Sequence, residues 1–248
     1  MAVTAKVPAL AAKANAYCPG CGHGIVNRLM AEVLTEEGYQ HRNIGSIGVG
    51  CSCNMNAHWA GEKMQCPHGR AAATVRGFKL AQPEVFAYSY QGDGDAYVIG
   101  LSETLNAAYV NAPVTLIVIN NQNFAMTGGQ MSWTTLPDEV TTTSVHGRKV
   151  NTSGAPIHIP EMMANGFDIG YAARGSVHSV KEIRMTKKYL REAVKAQMED
   201  GSFSIIEVLS PCPTNWKMTP MQAIDHMEAN VLPYYKTGEF KTREVKQS

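Results

Sequence analysis

Apolar positions recur along this chain with two alternating periods, and their order lays out the fold. In "GIVNRLMAEVLTEEG" the helical period places Ile25, Leu29 and Val33 on one face, with Gly38 as a stop. The short strand "NIGSIGVG" then opens into a loop carrying Cys51 and Cys53. "GRAAATVRGFKLAQP" reads as a helix of small residues, starting near His68 and ending before Pro83. Next come the strand "EVFAYSYQGDGDA" ending in a glycine turn, the helix "GLSETLNAAYVNA" and the continuous apolar strand "PVTLIVINN". Strand, glycine turn, helix and strand in that order predict an α/β fold, a parallel sheet covered by helices on both faces.

Residues 127–165 break the pattern: Thr, Gly, Ser and Pro dominate and no period persists, as expected of a functional loop or a cover over a ligand. Periodicity returns in "GFDIGYAARGS", in the helix "VKEIRMTKKYLREAVKAQMEDG" and in the strand "FSIIEVLSPC", which delivers Cys212 to its end. From Thr214 onward a segment rich in Met, Pro and Tyr reads as an arm that wraps a neighbour. The expected organisation is an N-terminal arm over 1–16, one domain over 17–213 and a C-terminal arm over 214–248.

With 44% hydrophobic and 17% charged residues in 248, the chain has the make-up of a globular domain that buries its own core. It is slightly poor in charge, as a protein that hides surface in partners would be. The net charge is +1 and the 22 Lys and Arg are scattered, so nucleic acid is not indicated. The longest apolar run, "VTLIVI", has the length of a strand and falls far short of the roughly 18 residues that cross a bilayer, so no membrane is expected. Lys6 and Lys13 interrupt the opening segment before an apolar core forms, and a cytoplasmic location is the expectation. Six cysteines in such a chain point to reduced thiolates on a metal or cluster rather than to disulfides.

The densest chemistry lies between Gln91 and Gln130. Gly92 and Gly94 flank Asp93 directly after a strand and ahead of a helix, where backbone amides and a helix N-terminus stabilise a phosphate. A carboxylate in that turn repels a bare phosphate, and an intervening divalent cation resolves the conflict. Asn121 follows Asp93 by 28 residues (121 − 93) at the end of the next strand, so parallel neighbours bring both to one edge. A carboxylate, an amide oxygen and a backbone carbonyl form a hard oxygen set suited to Mg²⁺ on a diphosphate. Taken singly, an Asp-Gly turn and a strand-ending Asn pair are common. Together they resemble the thiamine diphosphate motif, which implies Asp93, the Asn121 side chain and the Asn123 carbonyl as Mg²⁺ ligands, with Gly92, Gly94 and Asp95 against the diphosphate.

Cys18 and Cys21, in "YCPGCGHGI", are compatible with zinc, a redox dithiol or an iron-sulfur site. Three further thiols, Cys51, Cys53 and Cys212, stand where loops meet strand ends. Zinc with four cysteines draws them from two close pairs, whereas one pair plus dispersed singles tilts toward iron without deciding it. "YCPGCGHGI", "GVGCS", "HGRA", "YQGDGDAYVIG", "NNQNFAMTGGQ" and "IEVLSPC", in this order over residues 16–216, resemble the β subunit of 2-oxoacid:ferredoxin oxidoreductases, which binds thiamine diphosphate.

The resemblance implies that Cys18, Cys21, Cys51 and Cys212 hold a 4Fe-4S cluster. Cys53, two positions from Cys51, stands close enough to exchange roles with it, and Cys66 matches nothing in the pattern. It implies that His68 reaches the diphosphate or reacting carbon, against the plainer reading of a helix-capping histidine, and that Gly69 allows close backbone approach. Arg70 reads as a structural ion-pair residue. Thr127 is expected to donate to the diphosphate, and Gly128 to let the chain turn over it. The implied reaction is CoA-dependent oxidative decarboxylation of a 2-oxo acid, with electrons leaving through the cluster to ferredoxin.

Implied partners are an α subunit that carries the pyrimidine-binding domain and the activating Glu, and γ and ferredoxin-like δ subunits or fused equivalents. No Glu of this chain stands in a matching motif, Glu103 reading as packed or solvated, so the chain alone is expected to be inactive. Asn54 stands about where relatives acting on 2-oxoglutarate carry a Lys, which disfavours that substrate, and the motifs look closest to the branched-chain (2-oxoisovalerate) type. Two other classes stay open: a non-redox thiamine diphosphate decarboxylase half-chain, and a zinc-stabilised binding module.

Overall fold

A computed structural model describes residues 7–244. After the cysteine turn comes α1 (His23–Glu36), then β1 (Asn43–Ile47), a 3₁₀ turn carrying Cys51 to Asn54, α2 (Met55–His58) and β2 (Glu62–Gln65). The glycine-turn unit follows: α3 (Ala71–Ala81), β3 (Phe86–Gly92), a π-type turn over Gly94–Ile99, α4 (Leu101–Tyr109) and β4 (Thr115–Asn120). A small hairpin, β5 (Asn123–Phe124) with β6 (Gln130–Met131), leads to α5 (Val150–Ser153) and α6 (Ile159–Gly166). The remainder is β7 (Tyr171–Ser176), α7 (Val180–Met198), β8 (Ser204–Leu209), α8 (Pro213–Trp216), α9 (Pro220–His226), α10 (Leu232–Tyr234) and β9 (Gly238–Lys241).

Seven strands form one sheet in the order β2-β1-β3-β4-β8-β7-β9, parallel except for the edge strand β9. Side chains on a strand alternate between faces, so each central strand feeds two cores. Tyr88, Tyr90, Ile117, Ile119, Ile206 and Val208 pack on one side with α1 and α7. Ala87, Leu116, Val118, Ala172 and Ile205 pack on the other with α3, α4 and α6. The continuous apolar runs predicted as strands are continuous because both faces are covered. On α1 the buried stripe is Val26, Leu29, Met30 and Val33, while Ile25 is exposed, a shift of one position from the face expected.

The described part from Thr214 folds back on its own domain: β9 adds to the sheet against β7, and Tyr235 is fully buried. Arg174, itself buried, holds this return by pairing with Glu207 (2.5 Å) and Glu161 and by lying under the rings of Tyr235 and Phe240. A composition rich in Met, Pro and Tyr announces apolar surface to cover but not which surface. Of the two expected arms, residues 1–6 and 245–248 lie outside the described residues. The strand β2 is missing from the sequence reading because "EKMQ" is polar and lies on the sheet's outer edge.

Candidate functional site

Open α/β sheets bind ligands beyond the carboxyl ends of their strands. Here β3 and β4 are adjacent and parallel, with Gly92 opposite Ile119, so the chain leaves both strands side by side. A cleft of about 100 Å³ opens at that edge, lined by Gly92, Asp93, Gly94, Asn121, Asn123 and Phe124, with His23, Cys51 and His68 on its walls. Asp93 is buried, and burial raises its carboxyl to about 6 against the hydrogen bonds that favour the charged form. One oxygen accepts from the Thr134 hydroxyl, and the other lies 3.5 Å from the Asn121 amide N–H.

The Asn121 side chain meets Asp93 Oδ1 and the Asn123 carbonyl in the same corner. Its amide nitrogen, turned inward, donates to them at 3.1 and 2.8 Å; its oxygen, turned inward, completes three oxygens facing one another. With the Asn121 oxygen inward, the corner presents a hard oxygen set to a cation. That donor chemistry fits Mg²⁺.

Asp95 does not offer a free carboxylate to the cleft. Its Oδ1 accepts from the Gly69 N–H (2.7 Å) and pairs with His68 Nδ1, and its Oδ2 accepts from Gln91 Nε2 (2.5 Å). His68 is thus held by a buried carboxylate rather than spent on capping α3, which has no side-chain cap. Its ring stands edge-on to Phe124, with centroids 6.3 Å apart. Gly69 has φ +79°, and a Cβ there would meet Ile99 and the backbone of Gly100, so its close backbone approach is to the turn before α4. Arg70 pairs with Glu103, as an ion-pair residue should.

Each proposed cluster cysteine arrives at this same edge. Cys51 follows β1, Cys212 follows β8, and the turn closed by the Cys21 N–H on the Cys18 carbonyl (3.1 Å) is pinned to the end of β8 where Gly22 donates to Ser210 Oγ (3.1 Å). Burial pushes the Cys51 thiol to about 12, helped by Cys212, Cys21 and Cys18, and the Cys21 thiol to about 11, helped by Cys212 and Cys18. Four thiols that feel one another from three distant segments share one neighbourhood. No three His, Cys, Asp or Glu side chains among the described residues converge as ligands of a single ion. Cys66 is buried and its thiol faces the Ile47 carbonyl (3.3 Å), apart from the set.

Thr127 reaches the rim of the cleft, but its hydroxyl donates to Gln130 Oε1 (2.5 Å). Gly128, with φ +110°, turns the chain and lines a neighbouring cavity beside Asn123, Trp216 and Lys217. Two parts of the site were not legible. His23 lies buried on the cleft wall, stacked on Tyr17 (4.8 Å) and bonded to the Tyr90 hydroxyl (2.7 Å); burial drops it to about 3 and keeps it neutral. Its place directly behind the cysteine turn was the available signal. Thr134, from the aperiodic stretch, carried none.

Comparison with known proteins agrees with this geometry. The family described as "Thiamine pyrophosphate enzyme, C-terminal TPP binding domain" matches residues 44–208. The chain is 38% identical to the ketoisovalerate oxidoreductase subunit VorA of Methanothermobacter marburgensis over 93% of its own length, and spans 48%, about half, of that relative. It is 30% identical to the 2-oxoglutarate synthase subunit KorB of Archaeoglobus fulgidus over 86% of its length and 76% of the relative's. A solved 2-oxoglutarate:ferredoxin oxidoreductase from Magnetococcus marinus, with 2-oxoglutarate, coenzyme A and succinyl-CoA bound, shares the fold at TM-score 0.74 and 23% identity, covering 94% of this chain and 83% of that one. The family match and these relatives show that the chain belongs to the thiamine diphosphate-binding subunits of the 2-oxoacid:ferredoxin oxidoreductase family.

Proposed function

We propose that this chain binds thiamine diphosphate through Mg²⁺ and a 4Fe-4S cluster through four cysteines, as one subunit of a complex that oxidatively decarboxylates a 2-oxo acid with CoA and passes electrons to ferredoxin. The observation that carries the reading is the meeting of two donor sets at one sheet edge, with Cys51 lining the cleft that Asp93 and Asn121 also line. When bound, the cofactor supplies the electron sink that loss of CO₂ requires, and the cluster accepts the electrons singly.

The chain's own residues bind and orient. Asp93, Asn121 and the Asn123 carbonyl would hold the cation that bridges to the diphosphate. Asp95 fixes the His68 ring through Nδ1, which leaves Nε2 as the nitrogen able to exchange a proton or a hydrogen bond with a substrate in the cleft. His23, kept neutral by burial, puts a polar but uncharged wall opposite. No glutamate lines the cleft among the described residues, and Glu103 is committed to Arg70. The activating carboxylate is therefore assigned to a partner α subunit, with γ and δ subunits or their fused equivalents completing the electron path.

A branched-chain 2-oxo acid is the proposed substrate. Identity is 35–38% to subunits named for ketoisovalerate and 28–30% to those from Archaeoglobus and methanogens named for 2-oxoglutarate. A neutral Asn54 after the Cys51 turn also cannot offset a second carboxylate. Co-expression with the partner chains, iron analysis and a screen of 2-oxoisovalerate, pyruvate and 2-oxoglutarate test the reading. It expects a brown complex with about four irons in this subunit and a preference for 2-oxoisovalerate. A colourless, zinc-containing complex contradicts the cluster, and a preference for 2-oxoglutarate contradicts the substrate.

A further inference from the structure

The aperiodic stretch after the hairpin carries a device that the cofactor motif does not include. Thr134 is fully buried and its hydroxyl donates to Asp93 Oδ2, which leaves Oδ1 turned toward Asn121 and Asn123. The neighbouring Thr135 hydroxyl donates to the Gln122 carbonyl (2.5 Å), at the bend between the two asparagines, where Gln122 takes φ +60°. Two consecutive hydroxyls thus grip the corner from behind, one on its carboxylate and one on its backbone.

Their backing is unusually complete. Arg148 is 2% exposed, and its five hydrogen bonds all go to backbone carbonyls: Ser132 (3.2 Å), Trp133 (3.0 Å), Thr135 (2.6 Å), Ser153 (3.2 Å) and Gly154 (3.1 Å). The carbonyl Arg148 leaves out, that of Thr134, accepts from the buried Tyr235 hydroxyl (3.0 Å), which the returning C-terminal segment supplies. All four carbonyls from Ser132 to Thr135 are therefore held by two buried side chains from distant parts of the chain. A guanidinium buried among neutral carbonyls loses its hydration without a full counter-charge, a heavy cost for closing a loop that only has to pack.

We propose that Thr134 is a metal-positioning residue, holding the Asp93 carboxylate in the one orientation that presents Oδ1 to the cation, and that Arg148 and Tyr235 fix the Thr134 hydroxyl in place. This rests on Asp93 being a cation ligand. Partners that orient a ligating carboxylate carry roughly 10- to 100-fold of metal affinity. On this basis Thr134→Val weakens binding and Thr134→Ser restores it.

The test uses the co-expressed complex, stripped of metal and titrated with Mn²⁺ in the presence of thiamine diphosphate. Bound metal is read by electron paramagnetic resonance and turnover is read separately. Thr134→Val is expected to raise the half-saturating Mn²⁺ about 10-fold or more, with Thr134→Ser close to wild type. Arg148→Lys and Tyr235→Phe are expected to raise it in the same direction by a smaller factor, and they keep the proposal testable should Thr134→Val misfold. Unchanged Mn²⁺ affinity in folded Thr134→Val overturns the proposal. Asp93→Asn separates the two claims: if it too leaves Mn²⁺ binding intact, the cation site itself is misplaced, whereas loss there with no change in Thr134→Val sinks the positioning role alone.

Discussion

The two halves of this site, the cation corner and the thiol set, share one edge of the sheet but are built in opposite ways. Asp93 and Asn121 come from adjacent parallel strands one helix apart, and the corner is buried and closed by its own hydrogen bonds. The thiols come from segments as far apart as Cys18 and Cys212, joined by a turn pinned to Ser210. As thiols they are stable neighbours, because burial and mutual proximity hold Cys21 and Cys51 protonated at neutral pH. As thiolates they would repel one another until iron supplies the opposing charge. The corner is set by neighbouring strands of one sheet; the thiol set is brought together by the packing of separate segments.

Removing one half and following the other tests whether the two are independent. Cys212→Ser is expected to take iron from about four per subunit to near none while metal-dependent thiamine diphosphate binding persists. Asp93→Asn is expected to keep the iron and weaken thiamine diphosphate binding by roughly 100-fold, the upper end of what a lost metal contact costs. If either variant loses both groups without unfolding, the halves are one unit and the contrast is wrong. A smaller effect lies between them: His68→Ala should lower kcat by about 100-fold, as removal of a positioned proton-transfer group does, with cofactor and iron kept. Asp95→Asn should show a milder form of the same loss.

How much of this was legible follows from the same contrast. The alternating apolar runs and the 28-residue spacing from Asp93 to Asn121 placed the sheet and the corner, because both are consequences of neighbouring strands. The thiol set followed only from resemblance, since no local period links Cys18 to Cys212. Thr134, Arg148 and Tyr235 were invisible because their roles are hydrogen bonds to backbone and to one carboxylate across the chain, which hydropathy does not record.

Two weaker effects set the outer limits. Asn54→Lys is expected to raise turnover of 2-oxoglutarate relative to 2-oxoisovalerate by a few-fold, about what one added ion pair in a partly wet site gives; no change in that ratio removes this residue from substrate choice. Far from both halves, Arg174 holds the Glu161 carboxyl below its ordinary range. A depressed carboxyl adds stability that is complete above the unfolded glutamate pKa of about 4.3 and fades as pH falls through the lower folded value. Glu161→Gln should therefore lower the melting temperature at neutral pH and flatten its acid dependence, with iron and thiamine diphosphate binding unchanged.

Electrons released at the Asp93 corner are proposed to reach a cluster held by Cys18, Cys21, Cys51 and Cys212. The most direct test is the visible absorbance of the anaerobic complex on addition of 2-oxoisovalerate and CoA, without ferredoxin. Substrate-dependent bleaching in wild type, absent in Asp93→Asn although dithionite still bleaches that variant, is the predicted result. Bleaching that survives Asp93→Asn, or a wild-type complex with no iron chromophore to bleach, would contradict it.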